Sequence, residues 1–400
     1  MQLNNRFGTV LLAVTILLTG LTACFTPGEV REVEVTRYQV LEVPILATQL
    51  IEVTREIPVV SQVEVTREVE VLLEPTPAAS PGSAENPFQV IFLPTAAEAL
   101  VEVRGGFLLE DLAAKTGFFF EAVVPTSDAE VIDLVCSRPA TTIALLTPEQ
   151  YVAAHIECNV FPALTATEFD VPYQLGMLVS RTSSVINVFE DIAFKKVAVP
   201  SLSDVTTYQL FAKDIADGNL AGVQFLEYGT SSSALIALLE REVDIAAAIY
   251  NPPSLPVRDD RVWEYGEDSP EIWRQIGIAP NRDPIGFIEV AGGPAANGYG
   301  VRDARASIFD DYPEIFEETK ILLLSRPYPN DMIAFGDQFP ISAFNPVING
   351  LLEFINSDAC DQSVCASDFY QWDGAQTVDD SFYDVVRELN SNGENEESDS

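Results

Sequence analysis

The chain has 400 residues, enough for one large domain or two medium ones, and 47% of them are hydrophobic, so a sizeable core can be buried. Its formal charge of −39 argues against nucleic acid and against anionic membrane surfaces as partners. With one histidine and no Gly-x-Ser-x-Gly elbow, little is present from which to build a catalytic centre, so the chain reads as a non-enzyme without a cofactor.

Arg6 precedes an apolar stretch from Val10 to Leu21, which ends in Leu21-Thr22-Ala23-Cys24. The stretch is short for a bilayer span and is followed by small residues, the layout of a secretory signal peptide over 1–23. A cysteine at the first mature position resembles the lipobox of bacterial lipoproteins. That resemblance implies cleavage before Cys24 and a diacylglycerol on its thiol; the other reading is an uncleaved anchor. Both place the working part outside the cytoplasm at a membrane surface.

Residues 24–85 read as a stalk and linker. Glu-Val-Thr-Arg recurs at 34–37, 52–55 and 64–67, with Val alternating with polar residues between the copies. Period-two alternation is extended rather than helical. Prolines 44, 58, 75, 77 and 81 interrupt it. As a flexible tether, about 60 residues reach roughly 45 Å; alternatively the Val face pairs with a second copy as a β-segment.

The body begins near Asn86. Gln89 to Leu93 reads as a buried strand closed by Pro94, followed by an amphipathic helix over 96–116. Phe118 to Val124 is a strand, Asp128 to Cys136 a helix, Thr141 to Leu146 a strand, and Thr147-Pro148-Glu149 opens a helix. The pattern then restarts: strand 174–180, helical turn at 189–191, strand 196–199, polar loop 200–204, helix 205–216, strand 224–227, helix 232–240 and strand 244–249. This order predicts an α/β fold with two lobes, each a mostly parallel sheet with flanking helices. Residues 86–172 and 333–390 are assigned to lobe 1 and 173–332 to lobe 2. An insertion spans about 252–320, and the acidic tail 391–400 is expected to be disordered. Strand ends facing each other across two lobes form a cleft, the usual place for a small ligand.

Four cysteines besides Cys24 form an even set in an exported chain, which predicts disulfides with three connectivities. Cys136–Cys158 and Cys360–Cys365 are favoured because both are local. His155 reads as a surface or packing residue rather than a base or metal ligand, and Asp259-Asp260 and Asp310-Asp311 as solvated charge. The Gly-rich run 291–300 lacks a strand-turn-helix frame and is not a nucleotide fingerprint; it reads as an insertion loop or lid.

Several stretches together resemble the phosphate/phosphonate-binding proteins of bacterial ABC importers, which have the type II periplasmic binding fold. They are Thr142-Ile-Ala-Leu-Leu-Thr-Pro148 with Tyr151, Pro172-Tyr173 leading into the strand to Arg181, and Phe189-Glu-Asp-Ile-Ala-Phe-Lys-Lys-Val-Ala-Val199. Tyr228-Gly-Thr-Ser-Ser-Ser233, Arg326-Pro-Tyr-Pro-Asn-Asp331 and Val386-Arg-Glu-Leu389 complete the set. The likeness covers most of 86–390 outside the insertion. It implies a monomeric, lipid-anchored receptor that captures a small solute, such as an oxyanion, and delivers it to a membrane permease. A sensing or adhesion lipoprotein that keeps the fold is the alternative, and a secreted hydrolase a further one.

The resemblance implies an anion site where a helix starts at Asp204, Thr206 and Thr207, and a second at Ser231 and Ser232. It sets Thr147, Tyr151, Tyr173 and Tyr250 along the cleft. Asp204 stands where the family has small neutral residues. Either it caps the helix from Val205, or it faces the cleft and the ligand carries an amine or is no phosphate. Ser231 stands where some relatives carry a His, and no Arg or Lys falls at a matched site position.

Overall fold

The computed structural model describes residues 79–397. The signal segment, Cys24 and the repeats of the expected stalk lie outside them. In chain order the strands are β1 (Phe88–Ile91), β2 (Phe120–Val123), β3 (Thr142–Leu146), β4 (Phe161–Thr167), β5 (Tyr173–Arg181), β6 (Lys196–Val199), β7 (Gln224–Glu227) and β8 (Ile245–Tyr250). There follow β9 (Asn281–Arg282), β10 (Ile288–Val290), β11 (Tyr299–Val301), β12 (Thr319–Leu324), β13 (Tyr328–Pro329), β14 (Met332–Phe335) and β15 (Gly374–Thr377).

One six-stranded sheet has the order β15-β4-β14-β3-β1-β2. The second runs β12-β5-β8-β6-β7, with β13 against β5. The chain passes from the first to the second between β4 and β5 and returns between β13 and β14. Both sheets are mixed, where mostly parallel ones are expected from the sequence. Parallel pairing is confined to β1 with β2 and β3, and to β6 with β7 and β8. The strands next to the crossings, β4, β5, β12 and β14, pair antiparallel. The two crossings run in opposite directions, so β4 lies antiparallel to β14 and β5 to β13. The sequence reading assigns no strand to Phe161–Thr167, because Pro162 and the small polar residues dilute its apolar pattern. Pro162 lies beside a register shift in the β4–β14 ladder, where a missing N–H is tolerated.

Each sheet is buried on both faces, and the period-two rule decides which side chain goes where. Ile143 and Leu145 of β3 join Phe88, Leu164 and Phe335 on one face; Ala144 and Leu146 join Val131, Met332 and Tyr383 on the other. In β8, Ala246, Ala248 and Tyr250 face one core and Ile245 and Ala247 the other.

The helices cover these faces. They include α1 (Glu98–Leu100), which runs through a π-turn into α2 (Gly106–Thr116), and α3 (Asp128–Ser137) and α4 (Pro148–Cys158). Next come α5 (Leu210–Asp217), α6 (Ser231–Leu239), α7 (Ile315–Glu318), α8 (Ile341–Ile355) and α9 (Asp384–Glu397). Cys136–Cys158 ties α3 to α4, and Cys360–Cys365 closes a short loop after α8. Thr147 starts α4 with a reciprocal cap: it accepts from the Gln150 amide at 3.3 Å, and Gln150 accepts from the Thr147 amide at 3.0 Å. Replacing Thr147 with Ala is expected to lower stability by about 1 kcal/mol, read as a shifted urea midpoint. Thr147→Ser should keep most of the cap.

The insertion packs against the second sheet. β9, β10 and β11 form a small antiparallel sheet, and Trp263 and Trp273 are buried with Tyr250 and Phe316. The Gly-rich run carries a short helical turn and most of β11 rather than an open loop. At the other end, α9 continues through the expected disordered tail to Glu397. Helix propagation from the packed turn at Val386 extends it, and glutamates are good helix formers.

Candidate functional site

The crossing from the first sheet to the second is a two-residue turn. Glu168 and Val171 bond each other's backbone at 3.0 and 3.2 Å. Between them Phe169 and Asp170 have φ of 54° and 68°, the left-handed pair of a hairpin turn normally given to Asn and Gly. A bulky Phe there costs free energy and persists only where the surroundings hold it. Asp373 accepts from the Asp170 amide at 2.8 Å. The Arg302 guanidinium donates to Asp170 at 3.1 Å, to the Phe169 carbonyl at 3.1 Å and to the Pro252 carbonyl at 2.7 Å. It also lies 5.2 Å from the centre of the Phe169 ring.

Across from this turn, the loop after β6 leads into a helix that begins with a π-turn over Val205–Gln209 and continues as α5. Asp204 caps it. Its carboxylate accepts from the Thr207 amide at 2.7 Å and from the Thr206 hydroxyl at 3.3 Å. Tyr173 opens β5, and its hydroxyl accepts from the Tyr265 amide at 3.3 Å. Tyr250 closes β8; its hydroxyl donates to the Pro270 carbonyl at 2.9 Å, and its ring packs 5.5 Å from Trp263.

These pieces enclose a cavity of about 290 Å³ lined by Glu168, Phe169, Tyr173, Asp204, Thr206 and Tyr250, among others. A second recess of about 350 Å³ shares Glu168 and Phe169 with it and adds Arg302, Tyr370 and Asp373. The charged side chains lining the first cavity are the carboxylates Glu168 and Asp204. Burial raises the Glu168 carboxyl above its ordinary range, and Asp373 adds to the effect. Asp331, behind the crossing, is pushed up to about 7 by burial, with Glu168 and Glu149 adding to it. Among the described residues no group of His, Cys, Asp and Glu is placed to hold a metal ion.

Of the nine ligand candidates from the sequence, the structure brings Tyr173, Asp204, Thr206 and Tyr250 together at this cavity. The two readings of Asp204 turn out to be compatible: it caps the helix and lines the cavity. The other five are placed elsewhere. Tyr151 is a correction: it is fully buried under α4, donates to Asp380, and packs 4.6 Å from the Tyr383 ring. Its position one turn into α4 turns it toward the core rather than the cleft. Thr147 is used as a cap. Thr207 is fully buried, and its hydroxyl has no partner among the described residues. Ser231 accepts from the Ile249 amide at 3.1 Å, and Ser232 pairs with Ser307 at 3.0 Å. His155 packs as expected, its Nδ1 2.7 Å from the Val160 carbonyl.

Sequence reasoning missed Glu168, Phe169 and Arg302. The signal for the first two is their place directly before Pro172-Tyr173, where the chain was expected to change lobes. Arg302 lies in the insertion, and nothing local marks it.

Residues 90–383 match the model of a family described as ABC transporter, phosphonate, periplasmic substrate-binding protein. No curated protein matches the chain. Among solved structures, a binding protein component of an ABC phosphonate transporter from Pseudomonas aeruginosa is 13% identical. It covers 76% of this chain and 85% of its own, with a TM-score of 0.36. A Prochlorococcus marinus protein in complex with methylphosphonate is 8% identical over 76% and 97%, with a TM-score of 0.39. A TctC solute-binding protein from Polaromonas is 10% identical over 76% and 95%, with a TM-score of 0.44.

Proposed function

The chain belongs to the periplasmic substrate-binding family of phosphonate ABC transporters, and from that premise we propose that it captures a small solute in the cavity at its lobe crossing and hands it to a membrane permease. It is a binding component and not an enzyme. The observation that carries the reading of the site is the cavity itself. It lies where the crossing turn and the start of β5 meet the capped helix start and the end of β8, so a movement at the crossing would change its shape. Tyr173, Asp204, Thr206 and Tyr250 are the contacts assigned to it. The anchor belongs to the same proposal. A diacylglycerol on Cys24 would keep the receptor beside its permease, with 24–85 as the tether.

The test uses the mature chain with Cys24→Ser, screened by thermal shift against phosphate, phosphonates, amines, amino acids and sugars. A solute at one hundred times its Kd should add about 2.7 kcal/mol and raise the melting temperature. Trp263 beside Tyr250 supplies a fluorescence readout of the same event. Silence across the whole panel would sink solute capture. For the anchor, unmodified protein should sediment with membranes and Cys24→Ser should not.

A further inference from the structure

The chemistry of the cavity selects among solutes. Helix starts bind anions because their first amides are unsatisfied and carry the positive end of the helix dipole. Here that place is occupied by the chain itself: the Asp204 carboxylate takes the Thr207 amide and the Thr206 hydroxyl. The start of α6 is closed in the same way, since Thr230 accepts from the Ser233 amide at 3.0 Å. A bare oxyanion entering the cavity would meet Asp204 where it needs a donor.

The lining is acidic and aromatic. The cavity of about 290 Å³ has no Lys, Arg or His on its wall. Glu168 faces both this cavity and the adjoining recess, and among the described residues its carboxylate has no hydrogen bond or ion pair. A half-buried carboxylate without a partner costs free energy until a cation reaches it. Arg302, on the wall of the adjoining recess, is committed to Asp170 and two carbonyls. Phe169, Tyr173 and Tyr250 line the same wall, and aromatic faces attract ammonium groups. The absence of a clustered metal-binding set among the described residues leaves an organic cation as the fitting occupant. The net charge of −39 would also concentrate cations around the whole molecule.

We infer that this cavity recognises a small organic cation, a primary or quaternary ammonium compound, with Glu168 as its counter-ion, Asp204 adding negative potential, and Phe169, Tyr173 and Tyr250 as its aromatic wall. This rests on the reading that the solute binds at the lobe crossing. Asp204 fills the helix start and thereby turns an anion-binding position into part of a cation-binding one.

The experiment is calorimetric titration of the mature chain with Cys24→Ser, using choline, ethanolamine, methylphosphonate and inorganic phosphate as probes. Choline or ethanolamine should bind, and neither anion should. Glu168→Gln should weaken the amine about tenfold or more, the order expected for losing a close counter-charge in a partly desolvated site. Asp204→Asn should also weaken it while keeping the helix cap, because Asn caps as well as Asp. Binding of methylphosphonate or phosphate in preference to both amines overturns the inference and leaves solute capture standing. Unchanged amine affinity in Glu168→Gln also overturns it. If none of the four probes binds, the ammonium assignment fails, and the wider solute panel then decides whether capture fails with it.

Discussion

Arg305→Ala should cost about 3–5 kcal/mol of stability, the range for breaking a buried ion pair by removing one partner. Arg305 is fully buried in the insertion. Its guanidinium donates twice to Asp303, at 2.9 Å each, and once to Glu271, at 2.7 Å. The group also lies 4.9 Å from the centre of the Phe316 ring. Removing it leaves Asp303, only 2% exposed, with its charge uncompensated. Glu271 keeps Arg274 at 2.7 Å, so the loss falls mainly on Asp303.

The pH dependence adds a second readout. Burial alone would raise the Glu271 carboxyl, but Arg305 and Arg274 outweigh it and hold it below its ordinary range. A depressed carboxylate contributes stability above its unfolded pKa, and that contribution is lost as pH falls through the folded value. The gap between unmodified protein and Arg305→Ala should therefore narrow in acid. Urea midpoints at neutral and acidic pH test both points; a loss under about 1 kcal/mol at neutral pH would show that the network is not what holds the insertion.

Gly176→Ala should cost about 3 kcal/mol and weaken solute binding together, because it strikes the contact that positions the cavity. Gly176 lies in β5, three residues after Tyr173. A Cβ placed there would stand 2.1 Å from the Thr206 carbonyl oxygen and 3.1 Å from the Phe211 ring. Carbonyl oxygen and strand are both backbone, so relief requires the helix start to move off the sheet. Asp204 and Thr206 would move with it. Gly106→Ala is the matched control: a Cβ there meets nothing within 4 Å, at the first residue of α2, where the helix continues from the π-turn. It should stabilise by about 0.5–1 kcal/mol, the helix preference of Ala over Gly. If Gly176→Ala melts like the unmodified protein and binds its solute equally well, close strand–helix contact does not set the site.

The lobe crossing explains how much of the site was readable. Tyr250 ends an apolar strand, where ligand loops are expected, and Tyr173 is marked only by the resemblance at Pro172-Tyr173. Asp204 and Thr206 are legible because a polar loop before a helix has a recognisable cap. Tyr151 misleads, since helical spacing alone does not say which side of α4 meets the core. Glu168 and Arg302 are 134 positions apart in sequence, and only the sharp turn at Phe169-Asp170 brings the insertion against the crossing.

By itself the amino-acid order determined what is local. Short apolar runs marked the main strands, Thr147-Pro-Glu-Gln marked a helix start, and cysteine spacing agreed with both disulfide pairs. It also determined the acidic balance. The tertiary structure decided which strands run antiparallel, that the insertion packs against the second sheet, and that Asp204 and Glu168 share one cavity. The physical reason is range. Propensity, capping and alternation act within a few residues, whereas a binding cavity is made by segments far apart in sequence, and their meeting depends on how two buried sheets are joined.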